Sequence, residues 1–225
     1  MFDRYIQREN IIFEMLQLFI DNGLDFILIG GYAVSAYKHR FSVDADIVIR
    51  KEDLKKFEEI LKQKKFKKTI SKELDNLYST EFIRYEIKDE LTVSFDLMIG
   101  GMGIRQTDSS LSFDTIDKGS SKKTIKGIEK EIRVRTPSRE LLIVMKLQAG
   151  RLTDFRDIVA LSQDINIAEI KEHLKNTDQK ILKKHITYLL SLLDKKDFID
   201  SFKGVFMEKK FDIDLKNIEM FKSIL

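Results

Sequence analysis

The chain contains no cysteine. Disulfides, thiolate metal sites and a cysteine nucleophile are therefore excluded, so any chemistry must come from oxygen and nitrogen groups. Histidine is scarce too: His39, His173 and His185 stand far apart on unrelated segments, which argues against a zinc hydrolase. No apolar run approaches the length of a membrane span, and the opening MFDRYIQRENIIFEM is too charged for a secretory leader. A cytoplasmic location without membrane contact is the expectation. The net charge is only +3, too small by itself to mark a nucleic-acid binder. Lysines nevertheless crowd residues 51–72 and basic residues crowd 118–135. Charged faces of this kind are ordinarily just solvated; the functional reading is an electropositive rim that attracts a triphosphate or an RNA backbone.

What is present is an ordinary globular composition, 225 residues with 43% apolar and 34% charged, enough for one proper core or two small ones. Residues 26–49, FILIGGYAVSAYKHRFSVDADIVI, organise the rest. Phe26 to Ile29 form an apolar run ended by Gly30 and Gly31, as expected for a core strand that stops at a sharp turn. Tyr32 to Lys38 have helix-compatible spacing, so free N–H groups at the helix start would face an anion over the glycines, most naturally phosphate. Val43 to Ile49 then read as a second strand. Asp44 and Asp46, at i and i+2, share one face, while Val43, Ala45 and Ile47 take the other. Two carboxylates side by side repel unless a cation lies between them, and hard oxygen ligands favour Mg²⁺ or Mn²⁺.

Around this stretch, residues 5–21 and 52–63 show the spacing of amphipathic helices, with Asn22-Gly23 stopping the first. Residues 69–79 give no clear element. Glu81–Ile87 and Leu91–Ile99 read as strands around an Asp89-Glu90 turn, with Ser94, Asp96 and Met98 on one face and Val93, Phe95 and Leu97 on the other. A lone carboxylate within an apolar strand is costly unless partnered, which makes Asp96 a candidate third metal-site acid. The GGMG segment at 100–103 reads as a loop leaving that strand, and 104–131 as a polar excursion with a short strand or hairpin. Ile132–Val134 read as a last strand.

Thr136-Pro137 are then expected to start a helix whose Leu141–Gly150 part is apolar almost all round. A buried Lys146 must snorkel to an edge or meet an acid or phosphate. Thr153 is placed to cap the next helix, in which Asp154 and Asp157 lie three apart, close to Arg151. Local salt bridges and a catalytic part are both open readings of those aspartates. The segments AEIKEHL, KILKKHITYLLSLL, FIDSFKGVFM and LKNIEMFKSIL all carry helical periodicity.

Gly30-Gly31, Arg40, Ser42 and the Asp44-x-Asp46 pair flanked by apolar residues resemble the nucleotidyltransferase superfamily with its polymerase-beta-like fold, and within it the abortive-infection AbiEii toxin-like group. That group shows Gly-Ser or Gly-Gly, an Arg-x-Thr-x-Asp-x-Asp run, a third acidic strand and a later helix with lysine. Ser42 stands here where threonine is usual. Gly31 stands where many members have serine, which leaves only backbone donors for a phosphate. Thr136, Lys146, Asp154 and Asp157 resemble the group's Thr-led lysine helix and following Asp-x-x-Asp helix, with a longer interval between Thr136 and Lys146.

The resemblance implies an α/β fold of the α+β kind: a small mixed nucleotidyltransferase sheet flanked by helices over residues 1–135, then a helical C-terminal domain over 136–225. It implies transfer of a nucleotidyl group from a nucleoside triphosphate to an acceptor hydroxyl, such as a tRNA end, by a toxin with a cognate antitoxin. Asp44, Asp46 and Asp96 would bind Mg²⁺ or Mn²⁺, and Asp96 would also draw the acceptor proton. Gly30, Gly31, Arg40, Ser42, Lys146, Asp154 and Asp157 would contact the nucleotide. An antibiotic-modifying nucleotidyltransferase and an inactive nucleotide-binding module are the alternatives.

Overall fold

The computed structural model describes residues 2–73, 81–206 and 213–225. Helix α1 (Phe2–Asp21) turns Ile12, Phe13, Leu16 and Phe19 into the core at helical spacing. It ends where Asn22 folds its side chain onto the Leu18 carbonyl, 2.8 Å away, and Gly23 takes a positive φ of 68°. Strand β1 (Phe26–Ile29) follows, then helix α2 (Gly30–Val34), strand β2 (Asp44–Ile49) and helix α3 (Leu54–Gln63). Helix α2 starts on the first glycine and is shorter than expected, ending at Val34 rather than reaching Lys38. Strand β2 begins at Asp44, and Val43 is 59% exposed instead of facing the core with Ala45 and Ile47.

Strands β3 (Lys67–Glu73), β4 (Glu81–Lys88) and β5 (Thr92–Ile99) complete a mixed five-stranded sheet in the order β1-β2-β5-β4-β3. Only β2 and β5 run parallel in it. The unassigned 69–79 segment therefore begins as an edge strand; its residues 74–80 lie outside the described residues. Ala45, Ile47, Val93, Phe95 and Leu97 pack on one face of the sheet, in a core shared with α1 and α3. Ile27, Ile29 and Val48 belong to the opposite face, in a second core built with the C-terminal helices. That second face also carries Asp44, Asp46 and Asp96, as the alternation of the strands dictates.

The GGMG segment departs from expectation. Strand β6 (Gly101–Ile104) pairs with β7 (Ser109–Ser112) in a hairpin, and after α4 (Phe113–Lys118) a second hairpin joins β8 (Ser120–Lys126) to β9 (Glu131–Pro137). Strand β9 runs through Pro137, so Thr136 does not cap the next helix; it is fully buried, and its Oγ1 has no hydrogen-bond partner among the described residues. Ser138 caps helix α5 (Arg139–Ala149) instead, its Oγ accepting from the Leu141 N–H at 3.1 Å. Helix α6 (Leu152–Leu161) likewise starts from Arg151, whose N–H donates to the Asp154 carboxylate at 3.1 Å, and not from Thr153.

Helices α7 (Ile167–Leu174), α8 (Gln179–Leu192), α9 (Lys196–Asp200) and α10 (Leu215–Glu219) extend the second core. The expected FIDSFKGVFM helix is shorter: a tight turn over Ser201–Gly204 ends it, and Phe206 bridges Arg40 by backbone pairing. No helix among the described residues is long and apolar enough to cross a membrane.

Candidate active site

Strand register assembles the acids. Ile29 of β1 pairs with Asp46 of β2, Asp46 with Asp96 of β5, and Asp96 with Arg84 of β4, so one row of residues crosses four strands. With Asp44 two residues before Asp46, the three carboxylates offer oxygens that all lie within 4.8 Å of one another. Burial, then the charges of Asp44 and Asp96, push the Asp46 carboxyl well above the usual carboxylate range, with Lys146 opposing. Burial raises Asp96 as well, against the opposing hydrogen bonds of Arg84. A crowded set of hard oxygens whose ionised forms resist one another is a chemical match for Mg²⁺ or Mn²⁺.

Arg84 was not singled out from the sequence. Its Nε and Nη2 donate to the two oxygens of Asp96, both at 2.6 Å, and Nη2 stands 3.4 Å from Asp44. The Asp89-Glu90 turn read from the sequence would set Ile83 opposite Asp96; the observed pairing of Lys88 with Thr92 takes Leu91 into the turn and brings Arg84 there instead.

The glycine turn is packed against the same acids. Gly30 has φ +67°, and a Cβ there would fall 1.9 Å from Oδ2 of Asp46. At Gly31 a Cβ would fall 2.3 Å from the Oγ of buried Ser42 and 3.2 Å from Nη2 of Arg40. Glycine is therefore required at both places, at the first for conformation and close approach and at the second for space. Ser42 supports the turn through this packing, and its carbonyl accepts from the Tyr32 hydroxyl at 3.3 Å.

Lys146, Asp154 and Asp157 come together as a buried ion cluster. Lys146 Nζ lies 2.6 Å from Asp157 and 3.3 Å from Asp154, and both aspartates are 1% exposed. Arg40 donates to the other side of Asp157, and Arg151 grips Asp154 at 2.7 Å. The lysine thus meets acids rather than reaching an edge. Burial would raise the Asp154 carboxyl, but the hydrogen bond from Arg151 and the charges of Lys146 and Arg151 outweigh it and hold it below the usual range. Arg151, which the sequence marks only as a local partner of Asp154, has a side chain 68% exposed.

A cleft of about 350 Å³ joins these parts. Its lining includes Gly30, Asp46, Asp96, Lys146, Arg151 and Asp154 together with apolar Met98, Met102, Leu142 and Met145. Such a cleft, apolar with a few convergent polar groups, suits a small charged ligand with a flat apolar part.

Carboxylates on adjacent central strands of a mixed sheet, facing a glycine turn, are the arrangement of the nucleotidyltransferase class. A family profile for the nucleotidyl transferase AbiEii toxin of type IV toxin–antitoxin systems matches residues 18–223, and the chain belongs to that family. Among solved structures, the antibiotic-resistance factor ANT(2'')-Ia aligns with a TM-score of 0.51 at 13% identity, over 73% of this chain and 87% of that one. A candidate nucleotidyltransferase from H. pylori aligns with a TM-score of 0.50 at 16% identity, over 98% of this chain and 92% of that one. At these identities the likeness is one of fold. No curated protein matches the sequence.

Proposed function

We propose that the chain moves a nucleoside monophosphate from a nucleoside triphosphate to an acceptor hydroxyl in a reaction dependent on Mg²⁺ or Mn²⁺. The observation that carries this reading is the set of three carboxylates with oxygens within 4.8 Å of one another, two of which, Asp46 and Asp96, line a cleft. Asp44, Asp46 and Asp96 would hold the cation, which when bound neutralises charge on the phosphates and on the leaving pyrophosphate. Asp96, beside the cation and on the strand next to Asp46, is the residue assigned to take the acceptor hydroxyl's proton. The backbone of Gly30 and Gly31 would lie against the β- and γ-phosphates, where no Cβ stands in the way.

Arg151 is the cation best exposed to meet those phosphates, while Arg40 and Lys146 act beside it from within the ion cluster. Asp154 and Asp157 then hold these cations in place, and Ser42 holds the turn. The nucleoside would lie toward Met98, Met102 and Met145. In this reading residues 1–135 are the catalytic unit and 136–225 the helical unit that supplies the phosphate-facing cations.

An RNA acceptor, a tRNA end in particular, is supported by the exposed Lys62, Lys64, Lys65, Lys67 and Lys68 along α3 and β3, since clustered lysines attract a phosphate backbone. The biological role is that of the toxin of a toxin–antitoxin pair in the cytoplasm, restrained by a cognate antitoxin. Each labelled nucleoside triphosphate is incubated with Mg²⁺ and either total tRNA or an antibiotic panel, beside Asp44→Ala and Asp46→Ala controls. Label on RNA that disappears with EDTA and with either variant is the expected result. Label on an antibiotic alone would replace the RNA acceptor with a drug, and label on nothing would overturn the transfer reading.

A further inference from the structure

The pairing between Arg84 and Asp96 takes up the whole carboxylate: both of its oxygens accept from one guanidinium, each at 2.6 Å. The same guanidinium reaches across to Asp44 at 3.4 Å. This fork is fixed by the sheet, because the β4–β5 register sets Arg84 directly opposite Asp96 and alternation aims both side chains at the cleft face. With all three acids ionised, Arg84 leaves the cluster two negative charges, which one divalent cation balances.

We propose that Arg84 is a resident counter-cation that stands in for the divalent metal before loading and competes with it electrostatically, so that the free protein keeps its three acids together yet binds metal weakly until nucleotide brings further negative charge. The inference rests on the metal reading of Asp44, Asp46 and Asp96. It requires of Arg84 an effect opposite to that of a residue that merely orients a ligand. Removing an orienting residue loosens metal, whereas removing a competing charge a few ångströms away tightens it. In the free protein the same removal leaves three carboxylates facing one another, which costs stability.

The test measures Mn²⁺ binding without nucleotide, by electron paramagnetic resonance of the free ion, together with thermal unfolding in EDTA and in Mn²⁺. R84Q is expected to bind Mn²⁺ about tenfold more tightly than the unaltered protein, as loss of one nearby positive charge in a half-hydrated site implies. Its melting temperature is expected to fall in EDTA and to rise more steeply with added Mn²⁺. R84K, which keeps the charge and loses the fork, is expected to bind within about twofold of the unaltered protein. Mn²⁺ affinity in R84Q that is unchanged or weaker overturns the proposal while leaving the transfer reaction to its own assay. If R84Q does not fold with or without Mn²⁺, R84K decides: a roughly tenfold loss of affinity there makes Arg84 an orienting residue and overturns the proposal as well. An unaltered protein that binds no Mn²⁺ overturns both this inference and the metal reading beneath it.

Discussion

Lys146 of α5 and Asp157 of α6 meet at 2.6 Å in the interior, and the pair is the centre of a chain of charges running Arg40–Asp157–Lys146–Asp154–Arg151. The chain ties the segment after α2 to two helices from the other half of the sequence. It aligns the glycine turn with the cations beside it.

Replacing Lys146 with methionine leaves Asp154 and Asp157 buried with one arginine each. The expected cost is about 3 kcal/mol of unfolding free energy, because a broken buried ion pair leaves uncompensated charge. Urea denaturation of K146M and K146R measures it, with K146R expected to lose less. Equal stability of K146M and the unaltered protein would show that the cluster is not a structural clamp.

Asp154 gives a pH signature. Its carboxyl is held below its ordinary value of 3.8, so its contribution to stability is complete above that value and is lost as pH falls through the lower folded value. Thermal unfolding between about pH 5 and pH 2, the range over which carboxylates titrate, should show a steeper acid decline in the unaltered protein than in D154N. Parallel declines would contradict the assignment.

Gly30→Ala forces a side chain into Asp46 at a positive φ, and a loss of about 1–3 kcal/mol with loss of transfer is expected. Gly31→Ala is predicted to be destabilising for a different reason, the collision with Ser42. The double variant G31A/S42G should recover about 1 kcal/mol relative to additivity, read from a double-mutant cycle. Strict additivity would place the strain elsewhere.

Arg151→Met tests the exposed cation. KM for the nucleoside triphosphate is expected to rise roughly tenfold, the scale of a charge-assisted hydrogen bond, alongside a stability loss of about 1–3 kcal/mol, since buried Asp154 keeps only Lys146. An unchanged KM would return Arg151 to a purely local role beside Asp154.

The sequence by itself determined strands β1, β2, β4 and β5 and the chemistry that alternation within a strand controls. Phe26 to Ile29, the paired faces of β5 and the shared face of Asp44 and Asp46 follow from local periodicity, which needs no knowledge of partners. The buried α5 with its lysine follows from the same kind of reasoning. Helix starts were read less well: Ser138 and Arg151 hold positions assigned to Thr136 and Thr153, since several polar residues near each start can satisfy its free N–H groups and only the incoming chain direction selects one. The β6–β7 hairpin escaped because its strands are only four residues each, β6 glycine-rich and β7 serine-rich, too short for alternation to announce them.

Tertiary structure alone decided who partners whom. That Lys146 is held by Asp154 and Asp157, that Ser42 fills the space beneath Gly31, and that Arg84 grips Asp96 are consequences of register and helix packing across long sequence separations. A charge in a sequence states only that a partner is needed when it is buried; the fold chooses the partner, because burial makes every unmatched alternative too costly to persist.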